Sequence, residues 1–174
     1  MNTHIAPCDD THHQTIFEII NESAIAYKGH IPADCWHVPY MSKEELAGEL
    51  LRGVRFSGFF HEGHLVGVMG SEDVKDVTLI RHAYVRHKYQ GQGIGTALLH
   101  EWCGRATRPV MIGTWKDAVW AIRFYERNGF ALANPAQTRA LLNHYWTVSE
   151  RQKDVAVVLL DECARQLVQA RAET

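Results

Sequence analysis

The sequence predicts an α/β protein of the α+β type, in which a mixed, mostly antiparallel sheet of about six to seven strands has helices on both faces. Two observations predict this fold class. Short runs rich in β-branched and aromatic residues alternate along the chain with segments whose apolar residues recur at helical spacing. A glycine-rich stretch, Tyr89 to Thr96, lies between one such run and a helix-like segment. This order is typical of a sheet covered by helices.

The first half of the chain is predicted to hold four strands and two helices. The strands lie at residues 4–8, 54–60, 65–70 and 77–86, and the helices at residues 11–26 and 42–51. Thr11 is the expected cap of the first helix, and Ser42 with Glu45 forms a capping box for the second. Residues 28–40 contain a glycine, two prolines and several aromatic groups, which predicts an irregular loop.

The second half is predicted to alternate helices and strands. The helices lie at residues 94–106, 117–128, 137–145 and 161–171, and the strands at residues 109–115, 130–133 and 155–160. Asp117 is the expected N-cap of its helix, and Gly129 is the expected left-handed residue after that helix.

Length and charge limit the function classes. A chain of 174 residues is expected to form one domain, and its net charge of −2 disfavours nucleic acid and acidic membranes as partners. The sequence shows neither a signal-peptide core nor an apolar run of membrane-spanning length, so a cytoplasmic protein is expected. The four cysteines are far apart and form no CxxC pair, which predicts reduced thiols and no metal site.

The most informative motif is Gln90-Gly91-Gln92-Gly93-Ile94-Gly95. Its three glycines are expected to take positive φ and to let the backbone approach a ligand, while the next helix directs its N–H groups and positive dipole end there. A phosphate or diphosphate fits such a place. The Rossmann spacing GxGxxG and the Walker sequence GK[ST] are both missing from this stretch, so those two classes are disfavoured.

A second motif, the ten residues from Ala121 to Phe130, follows one strand and one helix later as AIRFYERNGF. In this order and spacing the two motifs resemble the [QR]xxGxG and AxxFYxxxGF signatures of the GNAT superfamily of acyl-CoA-dependent N-acetyltransferases. The resemblance implies a single GNAT domain over residues 1–174, with an acetyl-CoA-binding core at about 54–160 and an N-terminal acceptor-side part at about 1–53.

The resemblance also implies the cosubstrate and the residues that bind it. Acetyl-CoA is expected as cosubstrate, without a metal. By position in the motif, the coenzyme is bound by two groups of residues: Gln90, Gly91, Gln92, Gly93, Ile94, Gly95 and Thr96 at the diphosphate, and Ala83, Tyr84 and Val85 along the pantetheine arm. Gln90 stands where relatives often have arginine, and Ala118 where many have an asparagine that contacts the coenzyme.

Two residues are candidates for proton transfer. Tyr125 lies where the family often has a tyrosine that donates to the coenzyme sulfur; core packing beside Ala121 and Ile122 is the alternative. Many relatives carry a glutamate in the strand before the glycine motif, but residues 77–84 contain no carboxylate. His82 is the candidate base there, because imidazole titrates near neutral pH. A structural histidine with proton relay through water is the alternative.

The acceptor is expected to be the primary amine of a small molecule, bound against the loop over residues 27–37. Four residues are predicted to bind it: Tyr27, Asp34, Trp36 and Tyr145. Asp34 suits a cationic amine, and the aromatic groups suit stacking or cation–π contact, although packing beneath the loop is the alternative for them. A protein acceptor, a noncatalytic acyl-CoA-binding module and an ATP-binding protein stay open. The family also makes a homodimer plausible.

Overall fold

In a computed structural model, residues 2–173 of the chain form seven strands and seven α-helices. The strands are β1 (Thr3–Pro7), β2 (Arg55–His61), β3 (His64–Val74), β4 (Val77–Val85), β5 (Val110–Trp115), β6 (Ala131–Leu132) and β7 (Ala156–Leu160). The helices are α1 (His13–Ala24), α2 (Lys43–Arg52), α3 (Ile94–Arg105), α4 (Val119–Arg127), α5 (Pro135–Tyr145), α6 (Glu150–Asp154) and α7 (Glu162–Ala172). No helix within residues 2–173 combines the length and the apolar character that a membrane crossing needs.

The seven strands form one sheet in the order β1-β2-β3-β4-β5-β7-β6. The pairs β1·β2, β2·β3, β5·β7 and β6·β7 are antiparallel. The predicted fold class, a mostly antiparallel sheet of six to seven strands with helices, is therefore confirmed. Two elements differ from the prediction: α6 was not expected, and β3 extends to Val74, four residues beyond its predicted end.

The chain divides into two compact units, which we describe separately. Unit 1 holds the residues up to Lys28 together with Trp36–Glu72 and Ile80–Arg105. Unit 2 holds Gly29–Cys35, Asp73–Leu79 and the residues from Ala106 onward. That the whole chain is a single domain stays a prediction.

The core of unit 1 forms between α1, α2 and the strands β2 and β3. Ile16, Ile19 and Ile20 of α1 are fully buried because their spacing places them on one face of the helix. They pack with Leu46 of α2 and with apolar residues of the two strands. Complete burial of one such side chain contributes about 1.5–3 kcal/mol, so these contacts hold the two helices to the sheet.

Gly67 of β3 sets how closely α3 approaches the sheet. A Cβ atom at this residue would stand 2.9 Å from Ile94 Cγ2 and 3.5 Å from Leu98 Cδ1. Both side chains belong to α3 and are buried. The missing side chain at residue 67 therefore lets the first turns of α3 pack directly on β3.

The predicted helix caps are confirmed in one case and wrong in two. Ser42 Oγ accepts from the Glu45 N–H at 3.1 Å and Glu45 Oε2 accepts from the Ser42 N–H at 2.7 Å, as the capping box predicts. Thr11 is not the first cap, because the carboxylate of Asp9 accepts from the Thr11 N–H and caps a 3₁₀ turn that precedes α1.

Asp117 is likewise not an N-cap. The Ala118 N–H bonds to the Trp115 carbonyl at 3.0 Å, and this turn leaves Ala118 itself at the cap position, without a side-chain hydrogen bond. Gly129 follows α4 with a φ of 89°, the left-handed backbone predicted for it.

Unit 2 has its own core between β5, β7 and the helices α5 and α7. Met111, Val158 and Leu160 of the strands pack with Leu141 and Leu142 of α5. All five side chains are buried. This core supports the strands that carry the C-terminal part of the sheet.

Candidate functional site

The glycine motif forms a bend between β4 and α3 in unit 1. A 3₁₀ turn over His87–Tyr89 follows β4, and Gly91 and Gly93 then take φ values of 74° and 80°. These two left-handed residues confirm the predicted backbone. Gly95 does not share it, because α3 has already begun at Ile94 and residue 95 lies in its first turn.

The bend leaves open space above its two left-handed glycines. No heavy atom lies within 4 Å of the position that a Cβ atom would take at Gly91 or at Gly93. The Ala97 N–H bonds back to the Gly93 carbonyl at 2.9 Å, so the N–H groups that precede it in α3 have no helical acceptor. Such N–H groups, together with the positive end of the helix dipole, favour an anion at this place.

Side-chain amides hold the bend in this shape. Gln90 Nε2 donates to the Val85 carbonyl at 3.0 Å, and Gln92 Nε2 donates to the Lys88 carbonyl at 3.2 Å. Ser23 Oγ of α1 donates to the same Val85 carbonyl at 2.9 Å. Gln90 therefore supports the loop from within rather than adding a charge. The Val85 carbonyl thus already accepts two hydrogen bonds. The predicted roles of Ala83, Tyr84 and Val85 along the pantetheine arm stay predictions.

A carboxylate from α1 fixes the point where β4 leads into the bend. Glu22 Oε2 accepts from Arg86 Nη1 at 2.6 Å, and its Oε1 accepts from the His87 N–H at 3.0 Å. Arg86 also lies 3.5 Å from Glu18 of the same helix. These contacts tie the start of the bend to a helix of the unit 1 core.

His82 lies on β4 in contact with a carboxylate that the sequence did not reveal. Its Nε2 makes a short hydrogen bond with Oε2 of Glu49, a residue of α2. Glu49 Oε1 lies 3.4 Å from Arg81 Nη2, and Arg81 Nη1 donates to Glu72 Oε2 at 3.1 Å. Glu49 and His82 are both only 8% exposed, so this imidazole–carboxylate pair is buried.

The Glu49 carboxylate is ionised at neutral pH. Burial by itself raises the pKa of Glu49, but the hydrogen bond from His82, the charge that this ring carries when it is protonated, and the positive charges of Arg81 and Arg52 outweigh it and hold the pKa below its ordinary value of 4.5. An ionised carboxylate has no proton to donate and only accepts hydrogen bonds. The proton of this hydrogen bond therefore belongs to His82 Nε2.

An aromatic series connects His82 with two of the predicted acceptor residues, all within unit 1. The His82 and Tyr84 rings lie 6.3 Å apart, which confirms that they share one face of β4. Tyr84 contacts Tyr27 at 6.5 Å, Tyr27 contacts Tyr40 at 5.6 Å, and Tyr40 contacts Trp36 at 5.7 Å between ring centroids. Tyr27 and Trp36 are thus connected to the candidate base through a series of ring contacts within unit 1.

Asp34, predicted to bind a cationic amine, forms an ion pair with Arg151 within unit 2. Arg151 Nε donates to Asp34 Oδ2 at 2.7 Å and its Nη2 donates to Oδ1 at 3.0 Å. The hydrogen bond from Arg151 holds the pKa of Asp34 below its ordinary value. An amine that binds Asp34 must therefore displace or share this guanidinium.

Tyr145, also predicted to bind the acceptor, is buried in unit 2. Its hydroxyl donates to Asp76 Oδ1 at 2.8 Å and accepts from Arg171 Nη1 at 2.6 Å. Burial, together with the hydrogen bond to Asp76, raises the pKa of Tyr145. Both hydrogen-bonding directions of the hydroxyl are thus in use, and a role for Tyr145 toward substrate stays a prediction.

Tyr125 lies on α4 in unit 2 and is 7% exposed. Its ring contacts Phe124 and Phe130 edge-to-face, with centroids 5.0 Å and 6.1 Å apart. The packing that the sequence offered as an alternative is therefore present. The proton-donor role of Tyr125 stays a prediction.

Glu49 is the residue that the sequence interpretation missed, although the sequence held a signal for it. It lies three residues after Leu46 and one before Leu50, both of which pack in the unit 1 core. A charged residue on the apolar stripe of a helix is unusual without a partner.

Among residues 2–173, no cluster of three or more histidine, cysteine or acidic side chains is arranged to hold a metal ion.

Comparisons with known proteins agree with the fold and with the glycine motif. Residues 55–132 match the model of the acetyltransferase (GNAT) domain family. No curated protein matches the chain in sequence. The predicted resemblance to the GNAT superfamily is confirmed by the family match and by the solved structures that share the fold.

Three of these solved structures cover nearly the whole chain. The PaiA N-acetyltransferase from Thermoplasma acidophilum in complex with coenzyme A has a TM-score of 0.69 and 19% identity, over 92% of this chain and 99% of that one. The ribosomal-protein-S18-alanine N-acetyltransferase from Escherichia coli has a TM-score of 0.65 and 17% identity, over 94% and 95%. A GNAT family acetyltransferase from Elizabethkingia anophelis with acetyl-CoA bound has a TM-score of 0.62 and 18% identity, over 91% and 96%. At these identities the likeness shows the fold.

Proposed function

We propose that this chain, whose residues 55–132 match the acetyltransferase (GNAT) domain family, is an acetyl-CoA-dependent N-acetyltransferase. It transfers the acetyl group to the primary amine of a small molecule by direct attack within a ternary complex. The observation that carries the proposal is the open bend at Gly91 and Gly93, which lies at the start of α3. Similar structures were solved with coenzyme A or acetyl-CoA.

The bend suits the diphosphate of coenzyme A for a physical reason. Main-chain N–H groups at a helix start donate hydrogen bonds to phosphate oxygens, and glycines without side chains let those oxygens come close. Gln90 and Gln92 orient the bend through hydrogen bonds to carbonyl groups of the same unit. We propose that the residues from Gln90 to Thr96 bind the diphosphate, and that the main chain from Ala83 to Val85 follows the pantetheine arm.

The proposed reaction needs two proton transfers. The amine nitrogen attacks the thioester carbonyl, a C–N bond forms, the C–S bond breaks, and the thiolate leaves with the coenzyme. We propose that His82 takes the proton that the amine loses and that Tyr125 gives a proton to the thiolate. A positioned base or acid accelerates such a step by about 10²–10⁴-fold.

The aromatic series next to His82 supports a primary amine as acceptor. Rings such as Tyr27, Tyr84 and Trp36 bind an ammonium group or an aromatic amine by cation–π contact or stacking. They belong to the same unit as His82. Asp34 remains the proposed anionic contact of the acceptor.

The direct test is turnover with a panel of amines. Purified protein is mixed with acetyl-CoA and with amino acids, polyamines or amine-containing antibiotics, and free thiol is measured over time. We expect coenzyme A release that depends on the amine. A peptide with an N-terminal alanine tests the protein acceptor, because one similar structure is a ribosomal-protein-alanine N-acetyltransferase. Tight acetyl-CoA binding without turnover on any amine would instead indicate a noncatalytic binding module. Tighter binding of ATP than of acetyl-CoA in calorimetry would indicate a nucleotide site.

The placement of the coenzyme is tested by two glycine substitutions that differ only in location. Gly93→Ala adds a methyl group in the proposed diphosphate site, whereas Gly63→Ala adds one in the turn between β2 and β3. Their φ values are 80° and 79°, and neither new Cβ has a neighbour within 4 Å. Both carry the same backbone strain, about 1–2 kcal/mol.

We therefore expect similar losses of stability for the two variants but a selective loss of ligand binding. Gly93→Ala should weaken acetyl-CoA binding by at least about tenfold, because a methyl group at the anion site keeps phosphate oxygens from the N–H donors. Gly63→Ala should bind as the unchanged protein does. Equal affinities in calorimetry would contradict the placement at the bend.

We also propose a cytoplasmic location and a homodimer. All four cysteines lie within the described residues and are thiols rather than disulfides, which suits a reducing compartment. Cell fractionation and size-exclusion chromatography test the two statements. Export of the protein, or a strictly monomeric state at high concentration, would contradict them.

A further inference from the structure

The Glu49 carboxylate is a buried charge that the reaction proposed above leaves unused. Leu46 and Leu50 on the same helix pack in the unit 1 core, and Glu49 lies on that buried side with its side chain 11% exposed. Burial of a carboxylate costs free energy that a hydrogen-bonded cation only partly returns. A leucine would complete the apolar stripe without this cost. Packing alone therefore does not account for the glutamate.

We propose that Glu49 is a positioning residue for His82. Its Oε2 accepts from the Nε2–H of the imidazole, so that the neutral ring keeps its lone pair on Nδ1, and this nitrogen takes the proton of the attacking amine. The inference rests on the proposed function, because it assigns His82 the base of that reaction. Glu49 itself neither gains nor loses a proton.

The partners of Glu49 fix the direction of its carboxylate. Oε1 faces Arg81 at 3.4 Å, which leaves Oε2 for His82. Arg81 is in turn held by Glu72 at 3.1 Å. The imidazole is also restrained, since the Phe56 ring stacks on it with centroids 5.7 Å apart and an angle of 20° between the planes. Both members of the hydrogen bond are thus held by independent contacts.

This arrangement determines which nitrogen of His82 is basic. In a neutral imidazole one nitrogen carries the proton and the other is an acceptor, and the hydrogen bond at one nitrogen selects the tautomer. Glu49 has no proton to give, so it selects the tautomer with the proton on Nε2. When Nδ1 takes up a proton, the ring becomes a cation, and the adjacent carboxylate stabilises it. The same base-and-orienter arrangement is used by other imidazole bases.

Glu72 provides a matched control. Its carboxylate also binds Arg81, its side chain is 14% exposed against 11% for Glu49, and it does not appear among the contacts of His82. Glu49→Gln and Glu72→Gln therefore both remove a charge from Arg81, and Glu49→Gln also removes one from the exposed Arg52, 3.8 Å away, where water replaces it. Only the first changes the partner of the imidazole. A purely structural role through Arg81 would give the two variants equal effects.

The first measurement needs no turnover. Proton–nitrogen correlation spectra of ¹⁵N-labelled protein at pH 8 report which ring nitrogen of His82 carries the proton, with the signal assigned by its loss in His82→Gln. We expect the Nε2–H tautomer in the unchanged protein and in Glu72→Gln, and a mixture of both tautomers in Glu49→Gln. A proton on Nδ1 in the unchanged protein would overturn the inference.

The second measurement uses the best amine from the acceptor panel. Glu49→Gln should lower kcat by about 100-fold, with the KM for acetyl-CoA within about threefold of the unchanged protein, because the lost contact acts on proton transfer rather than on binding. Glu72→Gln should stay within about twofold in both constants, because a glutamine at residue 72 still offers Arg81 an amide oxygen as acceptor and leaves Glu49 in place. Equal losses of kcat in the two variants would overturn the inference.

Folding and the proposed function are controlled separately. Glu49→Asp keeps the charge and is used if Glu49→Gln does not fold; we expect it to retain the Nε2–H signal and a kcat between those of Glu49→Gln and the unchanged protein. If no amine supports turnover although acetyl-CoA binds, the proposed function fails. The tautomer of His82 still decides whether Glu49 orients it.

Discussion

Each unit contains a cluster in which one carboxylate joins an arginine to a ring with a polar group, yet the two clusters differ in their surroundings. In unit 1, Glu49 is buried between His82 and Arg81. In unit 2, Asp76 accepts from Tyr145 and from Arg171, but its side chain is 46% exposed. Breaking the same kind of contact should therefore cost different amounts of free energy. Water can replace a lost partner of the half-exposed Asp76 but not one of the buried Glu49.

The difference teaches how to separate a structural network from a reactive one. The Tyr145 hydroxyl is held from both sides, and the hydrogen bond to Asp76 keeps its proton in place. His82 has one nitrogen held by Glu49, and a neutral imidazole keeps a lone pair on the other. The unit 2 cluster thus fastens α7 to the core of that unit, whereas the unit 1 cluster holds only one imidazole nitrogen, as the proposed base role of His82 requires.

The largest expected difference between the clusters is in stability. Glu49→Ala leaves the buried His82 and Arg81 short of an acceptor, and we expect the free energy of unfolding to fall by about 3 kcal/mol. Asp76→Ala should cost about 1 kcal/mol or less, because the half-exposed Arg171 reaches water and still donates to the buried Tyr145 hydroxyl. Urea unfolding of both variants measures the difference. Equal losses would show that burial does not separate the two clusters.

A smaller effect is expected from the tyrosines of unit 2. Tyr145→Phe removes a hydroxyl that makes two hydrogen bonds, and we expect a loss of about 1–2 kcal/mol in the free energy of unfolding. A raised KM for the amine in this variant would support the acceptor role predicted from the sequence.

Tyr125→Phe should instead lower kcat by about tenfold, as loss of a proton donor predicts. An unchanged kcat would remove Tyr125 from the proposed reaction.

The smallest expected effect is on the pH dependence of stability. The pKa of Glu49 is lowered in the folded protein, so its contribution is fully present above the ordinary value of 4.5 and is lost as the pH falls through the lower folded value. Glu49→Gln removes this titration. Urea unfolding at several pH values from 6 down to about 3 should therefore show a stability gap between the two proteins that is constant above the ordinary value and narrows below it. A gap that widens would contradict the direction of the pKa shift.

The sequence predicted the features that depend on neighbours along the chain. The box of Ser42 and Glu45 needs residues three positions apart, and the left-handed bend at Gly91 and Gly93 needs glycines within one turn. The order of strands and helices followed from apolar periodicity in the same way. The predicted cap was wrong at two helix starts. At the first, Asp9 and Thr11 are both possible acceptors and Asp9 is the one used; at the second, a turn moves the helix start past Asp117.

The features that the sequence left unpredicted join distant parts of the chain. Glu49 meets His82 across 33 residues, and Asp34 meets Arg151 across 117. The local sequence around one residue does not identify its partner, because distant side chains meet only when the chain has folded. The sequence did offer Asp34 as a candidate for binding a cationic group. It did not show that this group is the guanidinium of Arg151.

The bare backbone at Gly67 has a consequence for the proposed coenzyme site, although it lies outside the glycine motif. A Cβ atom there would stand 2.9 Å from Ile94 Cγ2, so the side chain that begins α3 would have to move. The N–H donors proposed to bind the diphosphate belong to the same first turn of α3. Their position is therefore set in part by a residue on a neighbouring strand, 24 positions before Gly91.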